Sequence, residues 1–206
     1  MDRVNLKACR DANLGDLSAV TDVHMKAFPE FFLTTLGASF VRTMYKAFLL
    51  NSNGIFVVTE ADAGVCGFAV GALNSSNKDS KLAMRLLPQF VWAIIPAVLQ
   101  DPFRVLTRIV RQFFEKNGVP DLPHGAVVLR SIGVFPEFKG LGVASLLLSA
   151  FERSALQMGA TSLALTTDVL DNERAIQFYR KHGYQITQEF KQDKHRAMFL
   201  MLKELR

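Results

Sequence analysis

Cysteine, runs of like charge and long apolar stretches are all scarce in this sequence. Its two cysteines, Cys9 and Cys66, form neither a CxxC pair nor a Cys/His ligand spacing, so we expect reduced thiols and no metal site. No block of like charges forms a basic tail of the kind that binds nucleic acid. The most apolar window, Phe90 to Leu99, is too short to span a bilayer, and the N-terminus has no apolar signal core. These absences favour a cytoplasmic protein without a transmembrane segment.

Apolar residues and positive charge are plentiful instead. Half of the 206 residues are hydrophobic, 17 are phenylalanine, and the formal net charge is +5. This composition supplies a core for one domain of ordinary size, which we expect over residues 1–206. The positive charge favours an anionic partner, but by itself it does not choose among nucleic acid, acidic lipid and a phosphate-bearing cofactor.

Apolar periodicity and turn residues predict a mixed α/β order. We expect a first strand at Val4–Cys9, and Asn13 with Asp16 predicts the cap of a helix that Pro29 ends. A second helix is predicted at Leu33–Leu50. The remaining pattern predicts strands at 55–60, 65–73, 126–134, 162–167, 184–190 and 197–202, and helices at 140–158 and 172–182. This order predicts a single mixed sheet with helices on its faces.

A glycine-rich segment joins a predicted strand to a predicted helix. Residues 132–148 are IGVFPEFKGLGVASLLL, and the helix begins directly after the glycines. The first turn of a helix leaves N–H groups unpaired, and the helix dipole places partial positive charge there. Gly140 and Gly142 would let anion oxygens approach those groups, and Lys139 adds a full charge. The segment from Val134 to Ser145 therefore predicts a phosphate-binding helix start. The alternative is a strand-to-helix turn without a ligand, and neither GxGxxG nor P-loop spacing is present.

A second motif, NERAIQFYRKHGY at 172–184, follows after one more strand. Together the two segments resemble the GNAT superfamily of N-acetyltransferases. In that family's loop pattern, Gln/Arg-x-x-Gly-x-Gly/Ala, the three defined places are taken by Lys139, Gly142 and Ala144, and lysine in the first place is a departure. The later pattern, Asn-x-x-Ala-x-x-Phe-Tyr-x-Lys-x-Gly-Phe, is matched by Asn172, Ala175, Phe178, Tyr179, Lys181 and Gly183, with Tyr184 in the last aromatic place.

The resemblance implies acetyl-CoA as the cofactor and a mostly antiparallel GNAT-like sheet whose fourth and fifth strands splay apart. The pantetheine arm would lie in that gap, along Ile132, Gly133 and Val134. Asn172 would hydrogen-bond the arm, although asparagine is also a common helix cap. The pyrophosphate would bind the helix start formed by Lys139, Gly140, Leu141, Gly142, Val143, Ala144 and Ser145.

The implied reaction is direct attack of a primary amine on the thioester. Tyr179 would give a proton to the departing sulfur, although an aromatic residue at this place could also anchor the edge of a core. The general base is not identified: Glu30, Asp168 and His124 are candidates that also fit solvated or structural roles. The family's acceptor site implies contacts at Glu30 and Phe31. Three functions stay open: acetylation of a small molecule or amino sugar, acetylation of a protein amine, and a non-catalytic acyl-CoA-binding module.

An inserted segment at about 79–120 separates the third predicted strand from the fourth. Its helical spacing is interrupted at Pro88, Pro96 and Pro102, each expected to end or kink a helix. Farther on, an apolar and a basic face are formed by Phe103, Leu106, Ile109, Val110 and Phe113 and by Arg104, Arg108 and Arg111. The segment could add a helical layer, wall a bulky acceptor, form a homodimer surface or contact an acidic membrane.

Overall fold

The computed structural model describes residues 6–74, 79–102, 120–193 and 196–205. Within them, seven strands form one sheet in the order β1-β2-β3-β4-β5-β7-β6. The strands are β1 Arg10–Asp11, β2 Gly54–Ala61, β3 Gly64–Leu73, β4 Ala126–Val134, β5 Ser162–Asp168, β6 Gln185–Asp193 and β7 Arg196–Glu204. The α-helices are α1 Leu17–Ala27, α2 Phe32–Thr35, α3 Ala38–Leu50, α4 Asp79–Gln100, α5 Val143–Gln157 and α6 Glu173–Lys181. Every neighbouring pair of strands is antiparallel except β4 with β5, which confirms the predicted mostly antiparallel sheet.

Helices cover both faces of the sheet, as predicted. On one face, which we call the α5 face, Leu147 of α5 packs in a buried cluster with Leu129 of β4. On the opposite face, the α1 face, Val20 of α1 and Tyr45 of α3 pack against Phe68 of β3. Side chains alternate along each strand, so neighbouring residues of β4 contribute to different clusters. This division determines from which side each part of the site can be reached.

Two N-terminal elements differ from their predicted bounds. The strand predicted at 4–9 is replaced by β1 at 10–11, with residues 1–5 outside the described part, although the Lys7 N–H still donates to the Glu60 carbonyl at 2.9 Å. The helix predicted at 33–50 is divided into α2 and α3, because Gly37 has a φ of 91°, which side-chain-bearing residues rarely adopt. The predicted cap before α1 is confirmed: the Gly15 N–H donates to Asn13 Oδ1, and the Asn13 N–H donates to Asp16 Oδ2, both at 2.8 Å.

In the described part of the inserted segment, residues 79–102, the chain forms one long helix, α4. It runs unbroken through Pro88 and Pro96, so neither proline ends a helix, and the alternative expectation of a kink stays a prediction. Both prolines lie on the exposed side of α4, where their rings do not disturb the packed face. Pro102 is described, but the predicted faces at 103–113 lie outside the described residues. Among the residues that the structure describes, no helix is both long enough and apolar enough to cross a bilayer.

Candidate active site

The strands β4 and β5 pair over only a short stretch. Their parallel register is Ala126↔Ser162, Val127↔Leu163 and Val128↔Ala164. β4 continues to Val134 and stays paired with β3 to that end. Beyond Val128, β4 and β5 therefore separate, and a wedge opens between residues 129–134 and 165–168. The predicted splay of these two strands is confirmed by this register.

A β-bulge changes the alternation of β4 inside the wedge. Consecutive residues of β3 pair with Ser131 and Leu129, so Arg130 is the extra residue. Because the bulge adds one residue, Arg130 and Ser131 both lie on the α1 face. There Arg130 lines a cavity, and Ser131 Oγ accepts a hydrogen bond from Tyr45 Oη at 3.4 Å. The pattern of apolar and polar residues in the sequence gave no indication that Arg130 and Ser131 lie on the same face.

The glycine-rich loop ends where α5 begins. Gly140 and Gly142 have φ values of 83° and 82°, and a Cβ on either would meet nothing within 4 Å, so open space lies over both. Gly142 is the N-cap of α5, and its carbonyl accepts the Leu146 N–H at 3.1 Å. The N–H groups of residues 143–145 precede that bond and are the donors that an anion at this helix start would meet.

The first turn of α5 lies close to the open half of β4. Val143 is 1% exposed, and a Cβ on Gly67 of β3 would lie 3.1 Å from Val143 Cγ1 and 2.9 Å from Leu147 Cδ1. Gly67 is itself paired with Val134, at the end of β4. The missing side chain of Gly67 thus allows the start of α5 and the open half of β4 to lie side by side.

Asn172 connects the end of β5 to the start of α6. It follows Asp171, which has a left-handed φ of 54°, and its Nδ2 donates to Thr167 Oγ1 and, at 3.3 Å, to the Asp168 carbonyl. Asn172 occupies the N-cap position of α6, but its side chain makes no capping bond, so its interpretation as a capping side chain is wrong. The side-chain Nδ2 of Asn172 instead holds the turn beside the wedge. The side-chain oxygen of Asn172 takes part in neither of these two hydrogen bonds.

Tyr179 lies on α6 and is 8% exposed. Its ring centroid is 5.2 Å from that of Phe178 and 5.6 Å from that of Tyr184. Burial raises the pKa of the Tyr179 hydroxyl above its ordinary value of about 10. The hydroxyl is therefore protonated at neutral pH, which is the form that can donate a proton. The same packing agrees with the alternative that the ring anchors the core.

The loop between α1 and α2 lies over the open half of β4 on the α1 face. A Cβ on Gly133 would lie 2.7 Å from the ring of Phe68 and 3.2 Å from the ring of Phe28, which follows α1. The Phe28 ring centroid is 5.1 Å from that of Phe31, which is 49% exposed. Glu30 precedes Phe31 in this exposed loop. Both predicted acceptor residues thus lie on the face opposite to α5.

The remaining candidate bases have different surroundings. Asp168 forms an ion pair with Arg196, whose Nε and Nη2 donate to the two carboxylate oxygens at 2.5 and 2.7 Å. His124 is exposed and precedes Ala126, the first residue of β4. An extended strand places Ala126 roughly 20 Å from Ile132. His124 therefore lies beyond the paired end of the wedge, away from its open half.

A buried polar chain, which sequence reasoning missed, also ends at the wedge. His24 Nδ1 is 2.7 Å from Tyr45 Oη, which donates to Ser131 Oγ at 3.4 Å. Burial lowers the pKa of His24 to about 4, so its imidazole is neutral at neutral pH. His24 and Tyr45 stand on apolar helix faces far apart in sequence, and no local pattern distinguishes them from core residues. Together they hold the Ser131 hydroxyl on the α1 face of β4.

A cavity of about 290 Å³ lies where the wedge closes. Val128 and Ala164, the last paired residues of β4 and β5, form its floor. Arg130, Thr166 and Asp121 also line it, so the lining has a guanidinium, a hydroxyl and a carboxylate. The cavity can therefore take a small polar molecule beside the open strands.

Comparisons with known proteins agree with this geometry. Residues 17–184 match the model of the acetyltransferase (GNAT) family. Over 65 residues the chain is 35% identical to the uncharacterised N-acetyltransferase YdgE of Bacillus subtilis (strain 168), and the match covers 32% of this chain and 41% of that protein. The matched stretch therefore spans less than half of that relative's length.

Solved structures of acetyltransferases share the fold. That of yncA from Salmonella typhimurium, with its cofactor acetyl-CoA, has a TM-score of 0.62 and 17% identity, over 98% of this chain and 94% of that chain. The ribosomal-protein-S18-alanine N-acetyltransferase from Escherichia coli has a TM-score of 0.60 and 12% identity, over 97% and 94%. At such identities the likeness shows the architecture.

Proposed function

Since the chain belongs to the GNAT family of acetyltransferases, we propose that it transfers an acetyl group from acetyl-CoA to a primary amine. The observation that carries this proposal is the position of the α5 start, with open space over Gly142, beside a β4 strand that has separated from β5. An anion site next to an unpaired strand edge suits a ligand that has a pyrophosphate at one end and amide groups along its arm.

The residues predicted to bind acetyl-CoA suit the chemistry of its pyrophosphate and of its pantetheine arm. The N–H groups of residues 143–145 would receive the pyrophosphate, each helix-end contact contributing about 0.3–2 kcal/mol, and the charge of Lys139 adds to them. Residues 132–134 offer a strand edge with which pantetheine amides can pair as an added strand does. Asn172, fixed by its bonds to the end of β5, can accept from the arm through its amide oxygen.

The two substrates would enter from opposite faces of the sheet. The cofactor would lie against the start of α5, whereas the loop with Glu30 and Phe31 and the polar cavity are on the α1 face. An amine in that cavity could attack the thioester directly, without leaving a covalent intermediate on the protein. Holding both reactants in this arrangement supplies much of the rate acceleration.

Tyr179 is the proposed proton donor. Acetyl-CoA supplies a thioester, whose C–S bond breaks as the C–N bond forms, and the sulfur takes up one proton while the amine nitrogen gives one up. The buried hydroxyl of Tyr179 is neutral and can donate to the sulfur. The proton released by the amine balances this donation, so Tyr179 returns to its neutral form in each cycle.

We expect the pH profile of the reaction to show no loss from Tyr179 in the alkaline range. Burial raises its pKa, so the protonated form persists to at least about pH 10, while the amine loses its own proton as pH rises. Measured kcat/KM should therefore rise to a plateau. A fall with an apparent pKa below about 9, absent from the residual activity of Tyr179→Phe, would contradict the raised pKa of Tyr179 but not its role as the proton donor.

We propose a small polar amine as the acceptor, because the cavity holds about 290 Å³ and is lined by both Arg130 and Asp121. A screen of simple amines, amino sugars and peptides for CoA release tests this class. Acetyl-CoA at a hundred times its Kd should stabilise the fold by about 2.7 kcal/mol. Release with peptides alone would favour a protein amine. If acetyl-CoA stabilised the fold but no class of amine caused CoA release, a non-catalytic acyl-CoA-binding module would be favoured. If acetyl-CoA did not stabilise the fold, the cofactor proposal would be contradicted.

A further inference from the structure

The helix α4 carries large apolar side chains on its outer side as well as on its packed side. From Leu86 to Gln100 it has no charged residue. It packs on the protein through the nearly buried Leu86, Ala93 and Ala97 and the partly buried Phe90, Ile94 and Val98. On the other side, Trp92 is 76% and Leu99 is 79% exposed. An ordinary surface helix has polar residues on the side away from the core, so an apolar outer side is unusual. We call the exposed set the outer face of α4: it consists of Leu87, Val91, Trp92, Ile95 and Leu99.

These side chains form one continuous surface. At 3.6 residues per turn they fall on a single side of the helix, together with the rings of Pro88 and Pro96, and they extend over about 20 Å. Gln89 and Gln100 are the exposed polar residues at its margins. A protein interface of that size would normally include several hydrogen-bonding groups. The outer face therefore suits an apolar medium better than a protein surface.

Cations border the outer face. Lys46 of α3 donates to Gln89 Oε1 at 3.2 Å, one turn from Trp92, and the exposed Arg42 precedes Lys46 by one turn of α3. Asp101 follows the helix. Beyond it, the sequence from 103 to 119 contains Arg104, Arg108, Arg111 and Lys116 against a single acid, Glu115. A second copy of this chain, with its net charge of +5, would bring like charges together.

We propose that the outer face of α4 docks onto an acidic lipid surface, with the helix lying in the plane of the interface. Helices that combine an apolar face with flanking cations bind such surfaces, and tryptophan favours the headgroup level. Pro96 has no N–H to donate to the carbonyl of Trp92, the bond that a regular helix would form there. This docking does not depend on the proposed acetyl transfer.

Trp92 reports directly on the proposed contact, because it is the only tryptophan of the chain. The whole protein is titrated with phosphatidylcholine vesicles with and without phosphatidylglycerol. With the acidic vesicles we expect a blue shift of the Trp92 fluorescence and its quenching by brominated acyl chains. The protein should also float with these vesicles, and added salt should weaken the binding. No shift and no flotation with acidic vesicles would overturn the proposal, and so would equal binding to neutral ones.

Variants separate the apolar and electrostatic parts. Leu99→Ser should weaken vesicle binding roughly tenfold, and Arg42→Gln and Lys46→Gln roughly fivefold each. Leu14→Ser, at an exposed leucine just before α1, is the matched control and should bind as the parent does. Equal loss in Leu14→Ser would overturn the assignment to α4. If the protein bound no vesicles but self-associated in sedimentation, and Leu99→Ser abolished the self-association, the lipid proposal would be overturned. The outer face of α4 would then bind a second copy of this chain.

Discussion

Replacing Tyr179 by phenylalanine is expected to lower kcat by about 10²–10⁴-fold while leaving the Kd for acetyl-CoA nearly unchanged. The change removes only the hydroxyl, and the ring keeps its contacts with Phe178 and Tyr184. Without a donor the sulfur departs as an unassisted thiolate, so the loss falls on the chemical step. CoA release at saturating substrates measures kcat, and calorimetric titration measures the Kd.

Tyr184 provides the matched control for that experiment. It is 1% exposed, and its ring packs against that of Tyr179. We expect Tyr184→Phe to stay within about twofold of the parent kcat, because its hydroxyl has no assigned part in proton transfer. Equal falls in both variants would point to a disturbed core, which thermal melts would reveal. Unchanged turnover in Tyr179→Phe would refute its role as the proton donor.

Replacing Gly142 by alanine is expected to raise the Kd for acetyl-CoA about tenfold or more, with a smaller effect on kcat. Gly142 has a φ of 82°, a conformation that costs alanine roughly 1–2 kcal/mol. The new methyl group would also project into the open space over the α5 start, where the pyrophosphate is proposed to lie. Calorimetry with acetyl-CoA and with CoA measures the effect.

Gly159, at the opposite end of α5, separates strain from ligand contact. Its φ is 78°, and a Cβ there would likewise meet nothing within 4 Å. Gly159→Ala should therefore lose a similar roughly 1–2 kcal/mol of stability while keeping the Kd for acetyl-CoA. If both variants weakened binding equally, the effect of Gly142→Ala would come from strain in the helix, and the phosphate assignment would fail.

The parts of the site that depend on local chemistry could be predicted from the sequence. Every helix start has free backbone donors, and glycine lets an anion approach them closely, so Gly140 and Gly142 located that feature. The motif at 172–184 supplied the family. The Asn13 cap followed in the same way, because a side-chain acceptor must stand a fixed number of residues before the helix N–H groups that it binds. In each case the residue and the backbone groups that it affects are only a few positions apart in the sequence.

Features that depend on tertiary context could not be predicted. The break between α2 and α3 depends on the φ of Gly37, and glycine also occurs within helices. The continuity of α4 through Pro88 depends on which side of the helix meets α3. The polar chain from His24 to Ser131 joins residues from two helices and a strand, and the bulge at Arg130 depends on the register with β3.

The bulge at Arg130 gives β4 one extra residue on the α1 face without reversing the rest of the strand. Removing Arg130 would restore strict alternation and leave every other side chain of β4 on its present face. The position of Gly133 has no room for even a methyl group, since a Cβ would lie 2.7 Å from the Phe68 ring, and a slipped strand would bring Ile132 or Val134 to that face. Homologous chains that keep the wedge and the Phe68 ring should accept a single-residue gap at position 130 but only glycine at position 133. Glycine at position 133 is thus an alignment marker for the site.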